Sequence, residues 1–159
     1  MELFRLIEQS APMVWMRECG SLLGYPLILF LHTLGLGTVA GVSGAIGLRV
    51  LGFGRGIPLR ALAPVFRLIW WAFILSAISG LFLFFADATT KLASPIFYVK
   101  MAFVAAAMVC GSRLRKALES SSAATAPGRG LALASLACWA AAITAGRLIA
   151  YIGPVRGPG

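Results

Sequence analysis

The chain has 159 residues, enough for one domain, with 60% hydrophobic and only 12% charged residues. A mean hydropathy of +0.91 places it among polytopic membrane proteins and excludes an ordinary soluble domain. The net charge of +9 does not point to nucleic acid, because most cations sit in loops between apolar runs and no exposed basic stretch is interleaved with aromatics.

Residues 1–20 are expected to form a short amphipathic helix. Leu3, Phe4, Leu6, Ile7, Ala11, Val14 and Trp15 fall largely on one side, with Glu2, Arg5, Glu8 and Gln9 on the other. Pro12 is expected to kink it, and such a helix suits the membrane interface rather than a crossing. The opening MELFRLIEQS has no basic region followed by an apolar run and a small-residue cleavage site, so no removable signal peptide is expected.

Residues 21–153 then read as a four-span transmembrane bundle. The first span covers about Tyr25 to Leu48 and the second about Val65 to Ala86, closed by Asp87. The third runs from about Ile96 to Ser112 and the fourth from about Leu131 to Ile152. A crossing helix needs about 20 residues. The third and fourth segments reach that length only by including Lys100 and Arg147. Between them, Glu119 to Gly130 (ESSSAATAPGRG) reads as a loop. The tail at 154–159 is too rich in Gly and Pro to hold structure. The fold class is therefore all-α, an antiparallel transmembrane four-helix bundle with an N-terminal interfacial helix.

Charge sets the expected orientation. Arg49, Arg55, Arg60 and Arg67 cluster around the loop between spans one and two, and Arg113, Arg115, Lys116 and Arg129 around that between three and four. The other side has Arg5, Arg17, Lys91 and Arg156, together with Glu2, Glu8, Glu18 and Asp87. The positive-inside rule puts the basic loops in the cytoplasm and both termini outside, as in a bacterial inner-membrane protein with periplasmic termini. Gly37 and Gly41 form a GxxxG step, repeated by Ser43 and Gly47, which predicts close helix packing on that face.

The polar residues inside the spans are the candidate site. At 1.5 Å per residue, Lys100 lies roughly 6 Å, Arg147 roughly 8 Å and His32 roughly 10 Å in from the outer ends of their spans, and Asp87 caps the second span there. An ionisable side chain inside a span marks a functional-site hypothesis. Trp139, Ile143, Arg147 and Tyr151 form an i+4 row on span four, and Ser76, Gly80, Phe84 and Asp87 a comparable stripe on span two. Asp87 can neutralise one of Lys100 and Arg147, leaving a net positive pocket. The plainer alternatives are that Lys100 and Arg147 snorkel to the headgroups, and that His32 bonds a backbone carbonyl or a serine.

Three chemistries suit such a pocket. A b-type haem would take His32 as its metal ligand, with Arg147 and Lys100 on the propionates and Gly35 and Gly37 giving the macrocycle room. The second axial position would be taken by Met101, by another chain's His32, or by nothing. Alternatively, His32, Asp87 and Lys100 form an anion or proton path, or His32 contributes to a copper site. Cys19, Cys110 and Cys138 have no metal-ligand spacing, and a structural disulfide is not expected. No autonomous catalysis is expected. A triad of Ser76 or Ser79 with His32 and Asp87 has no support in spacing, and GLGTVAGVSGAIG lacks the ending of a phosphate loop.

FLHTLGLG at 30–37, LFFADA at 83–88, FYVKMAF at 97–103 and WAAAITAGRLIAY at 139–151 resemble a group of small four-span bacterial inner-membrane proteins of unknown function. That group is distantly similar to the copper-resistance D-type (CopD-like) membrane domains. The resemblance touches all four spans and implies that His32, Asp87, Lys100, Trp139 and Arg147 are characteristic positions. The single histidine is fewer than the copper-related relatives carry. Two functions are therefore carried forward. One is a ligand-binding membrane protein with haem or a small anion at His32, Asp87, Lys100, Arg147 and Tyr151. The other is an accessory subunit, in a homo-oligomer or a larger membrane complex, whose polar cluster locks helices together.

Overall fold

The computed structural model describes residues 6–18, 21–54, 56–120 and 122–152. In chain order the elements are α1 (Ala11–Glu18), α2 (Tyr25–Leu51), a 3-10 segment η1 (Leu59–Val65), α3 (Phe66–Phe85), α4 (Ala88–Ala93), α5 (Pro95–Glu119) and α6 (Ala126–Ile152). The described residues contain no strand. Four helical segments are long and apolar enough to cross a bilayer, and the chain is a multi-pass membrane protein with an all-α bundle. Residues 1–5 of the expected interfacial helix and the tail at 154–159 lie outside the described residues.

Several boundaries differ from the sequence reading, each for a local reason. Before α1 the chain turns at Gln9 and Ser10, where the Ser10 hydroxyl donates to the Ile7 carbonyl at 2.6 Å. The break therefore precedes Pro12, which sits in the first turn of α1, where a missing N–H costs nothing. Helix α2 stops at Gly52, whose φ of 111° lets the Phe53 N–H reach back to the Leu48 carbonyl at 3.0 Å. Helix α5 continues well past Ser112. Leu114 and Leu118 are buried on its inner face, and Arg115 bonds Glu119 one turn on at 2.9 Å. The loop expected over Glu119 to Gly130 shrinks to residues 120–125, because α6 starts at Ala126. The short helix α4, between spans two and three, was not expected at all.

Alternation brings the start of α2, the end of α3, the start of α5 and the end of α6 to one end of the bundle, where α4 lies. The opposite, basic end carries η1 and the 120–125 turn. The most extensive packing joins α5 to α6 and α2 to α3, and α2 also packs on α6. Between α3 and α5, contact comes from aromatic side chains at the two ends. Phe66 points at Gly111 near the basic end, and Phe84 stacks on Phe97 near the α4 end, with ring centroids 5.5 Å apart.

Buried positions follow the alternating three-and-four spacing of a left-handed bundle. On α3 they include Ile69, Ala72, Ser76, Ser79 and Leu83, and on α6 Ala132, Ser135, Trp139 and Ala142. On α5, Ala107, Leu114 and Leu118 are buried, and Lys100, Val104 and Gly111 continue the same seam at partly buried positions. The apolar core, with Val39, Ile46, Val50, Phe66, Leu114 and Trp139 among its members, fills the middle of the bundle and its basic half. The outward positions carry large apolar side chains such as Trp71, Ile78, Leu81 and Leu133, as a lipid-facing surface requires.

The tightest glycine contact between spans lies outside the expected GxxxG step, although Gly47 of its repeat does pack against a neighbouring helix. Around Gly37 and Gly41 there is open space, and both face away from the bundle. The close approach occurs at Gly35, where an added Cβ would lie 2.8 Å from the Ala72 carbonyl oxygen and 2.9 Å from the Ser76 backbone nitrogen. Gly47 makes a looser one against Leu136, at 3.2 Å. Gly35→Ala is therefore expected to push α2 off α3 and cost roughly 1–3 kcal/mol, lowering the thermal midpoint in detergent, whereas Gly37→Ala should leave it unchanged. Equal midpoints for the two variants would contradict this packing.

Candidate polar site at the α4 end

His32 sits on the first third of α2 and reaches across to α3. Its Nδ1 is 2.8 Å from the Ser76 carbonyl oxygen. A carbonyl only accepts, so Nδ1 carries the proton and Nε2 holds the free lone pair. The Ser76 hydroxyl returns a bond to the His32 carbonyl at 3.3 Å. The ring has room because residue 80 is glycine: an added Cβ there would lie 2.9 Å from Cε1 and 3.0 Å from Nδ1. The simple expectation for His32, a bond to a carbonyl or a serine, describes its Nδ1 side. Among the described residues its Nε2 has no hydrogen-bond partner.

Lys100 lies on the inner seam of α5 and folds its side chain along α6. Its Cε is 3.5 Å and its Nζ 3.6 Å from where a Cβ on Gly146 would stand, so the missing side chain of Gly146 is the bed for the lysine stem. Lys100 is partly buried, and its charge acts on the His32 ring. No acceptor for Nζ occurs among the described residues.

The other expected members are distributed differently. Arg147 is exposed on the outer surface of α6, one residue beyond the Lys100 contact. The expected row from Trp139 through Ile143 to Arg147 rotates off the interior, because a four-residue step turns roughly 400° and drifts about 40° each time. Trp139 is accordingly buried in the core, while Ile143 and Arg147 face outward. Tyr151 lies in the last turn of α6, and its side chain is outside what the structure describes. Asp87 is partly buried at the α3–α4 junction, with its Oδ1 shielded from solvent. Among the described residues, Asp87 acts on the ammonium of Lys91.

Glu8 and Lys91 were missed as site residues. Glu8 is buried and accepts from the Thr89 hydroxyl at 2.9 Å and from the Thr89 backbone N–H at 3.4 Å. The N-terminal segment is thereby fastened to the first turn of α4, where a carboxylate suits exposed backbone donors. Lys91 donates to the Leu83 carbonyl at the end of α3. Burial holds its ammonium below the ordinary lysine range; Asp87 opposes that shift, Lys100 adds to it, and Glu8 opposes it. The signal available in the sequence was the clustering of acids on this side, but the pairing across 81 positions was not readable.

Comparison with protein families, with characterised proteins and with solved structures yields no match. Among the described residues no group of three or more His, Cys, Asp or Glu side chains is placed to hold a metal ion. The class defined by fold and site is thus a four-span membrane bundle with a polar layer toward its α4 end.

Two outcomes test this geometry. Because His32 is the chain's single histidine, its ring nitrogens give one set of NMR signals. The native protein should show a protonated Nδ1 and a bare Nε2, and Gly80→Ala should displace the ring and mix the tautomers. For Lys91, the unfolded chain binds more protons between the lowered value and the ordinary ~10.4, so stability gains as pH rises through that window and is lost as pH falls through it. The thermal midpoint of the native protein should therefore rise relative to that of Lys91→Met as the pH approaches 10. A constant difference would contradict a buried, charge-shifted Lys91.

Proposed function

We propose that this protein binds a small anion in the polar layer between His32 on α2 and Lys100 on α5. The observation that carries the reading is the partly buried ammonium of Lys100 within a span, which has no acceptor among the described residues. An ionised lysine within a span costs about 2.5–3.5 kcal/mol on insertion scales, and an anion would offset that cost. The unused Nε2 of His32 is the neighbouring polar group. In its neutral form it accepts a proton from a protonated ligand or a water, and in its protonated form it donates to the anion. Gly80 and Gly146 support the reading, since each leaves the space its polar neighbour occupies.

A b-type haem on His32 is the runner-up. Nδ1–H bound to a carbonyl orients Nε2 as ligand histidines are oriented. Against it, the space expected at Gly35 is filled by the backbone of α3, and the open space at Gly37 lies outside the bundle. The accessory-subunit reading rests on the His32–Ser76 and Glu8–Thr89 bonds, which join segments far apart in the chain. For location, the distribution of cations supports a bacterial inner membrane with both termini periplasmic; labelling of a cysteine placed at either terminus with an impermeant reagent, in intact and in permeabilised cells, checks it.

The functional test compares the native protein with Lys100→Met. Removing this partly buried charge from within a span should raise the thermal midpoint in anion-poor buffer, and should abolish the further rise that the native protein shows on adding halide, nitrate or a small carboxylate. An anion response of equal size in both proteins would sink the proposal. Optical spectra, oxidised and reduced with dithionite, serve the runner-up: a Soret band lost in His32→Ala would establish haem in place of the anion.

A further inference from the structure

At the opposite, basic end a cleft of about 260 Å³ opens between η1 and the α5–α6 turn, lined by Pro58, Leu59, Arg60, Leu118 and Ala123. Four of the five lining residues are apolar, and the fifth is Arg60. Leu59 begins the second membrane-crossing segment and Leu118 lies at the end of the third, so the cleft stands at the level where acyl chains meet headgroups. In the connection leading to it, Phe53 and Ile57 are 67% and 52% exposed. Large apolar side chains beside arginines suit that interface. Eight of the chain's 14 lysines and arginines belong to this end, against the single acid Glu119, whose carboxylate is already bonded to Arg115 at 2.9 Å.

We infer that this cleft is a binding site for one anionic phospholipid, its phosphate at Arg60 and the first acyl methylenes over Leu59 and Leu118. The pairing of walls and charge selects an amphiphile. A water-soluble anion would leave the apolar floor wet, and a zwitterionic lipid brings no net negative charge to match the excess of cations over acids at this end. Cations that serve topology alone need only lie on this side of the membrane, whereas here an arginine borders an apolar recess at the headgroup level. Basic recesses between membrane helices hold anionic headgroups in this way.

The test uses the full chain in nanodiscs of phosphatidylcholine, with and without phosphatidylglycerol, and counts the lipids retained in native mass spectra. Arg60→Gln and Arg115→Gln change the charge equally, but only Arg60 lines the cleft. The native protein and Arg115→Gln should each retain one phosphatidylglycerol, with affinity about fivefold weaker in Arg60→Gln, as expected for one basic residue. Leu59→Trp, which fills the recess from its partly exposed rim, should displace the lipid. Midpoints measured in phosphatidylcholine alone verify that the variants fold, and should Leu59→Trp fail to fold, the two arginine variants decide by themselves. Equal retention of the two lipids, or a loss in Arg115→Gln as large as in Arg60→Gln, would overturn the inference.

Discussion

The contact between α2 and α3 at Gly35 governs much of what surrounds it. An added Cβ would be within 3 Å of the α3 backbone at Ala72 and Ser76, so the two helices meet there without an intervening side chain. In lipid no hydrophobic force draws helices together, and association relies on close packing and on polar bonds between them. The approach at Gly35 supplies the first and makes the second possible, because His32, one turn away, can then reach the Ser76 carbonyl. Gly80 completes the arrangement by leaving room for the ring. With that pair aligned, Val39, Ile46 and Val50 of α2 are buried and α2 meets α6 along Gly47 and Leu136.

The interior of the bundle is divided along its length. The middle and the basic half are filled by aliphatic and aromatic side chains, and the α4 end holds His32, Lys100, Lys91, Asp87 and Glu8. Polar bonds secure this end: Glu8 ties the N-terminal segment to α4, and Lys91 ties α4 to the last turn of α3. Lys100 is the member whose charge these bonds do not serve. A bundle assembled for stability alone would place an apolar side chain there, since replacing buried charge by well-packed hydrophobic groups is often neutral or stabilising. The polar layer, where we propose a small anion, and the basic-end cleft, where we propose a lipid, are thus two chemically distinct places at opposite ends of the bundle.

The four spans, their alternation and the depth of His32 and Lys100 were legible in the sequence, because the bilayer imposes a minimum apolar length and a fixed rise per residue. Helix ends were less legible. The first charge after a span suggests its end, yet α5 runs on to Glu119 because Leu114 and Leu118 are buried. Likewise the Pro-Gly pair at 127–128 suggests a loop, although it forms the first turn of α6.

The sequence by itself determined the class of protein, the number of crossings and the list of polar residues that had to be accommodated. The tertiary structure decided which of them face one another. It chose Gly35 over Gly37 and Gly41 for close packing, turned Arg147 outward while Lys100 stayed on the inner seam, and brought Glu8 and Lys91 to the polar end. The physical reason is that apolar length and axial rise are properties of one helix, whereas its rotation about its axis depends on all its neighbours at once. In spans that are apolar on nearly every side, periodicity has little contrast from which to read that rotation.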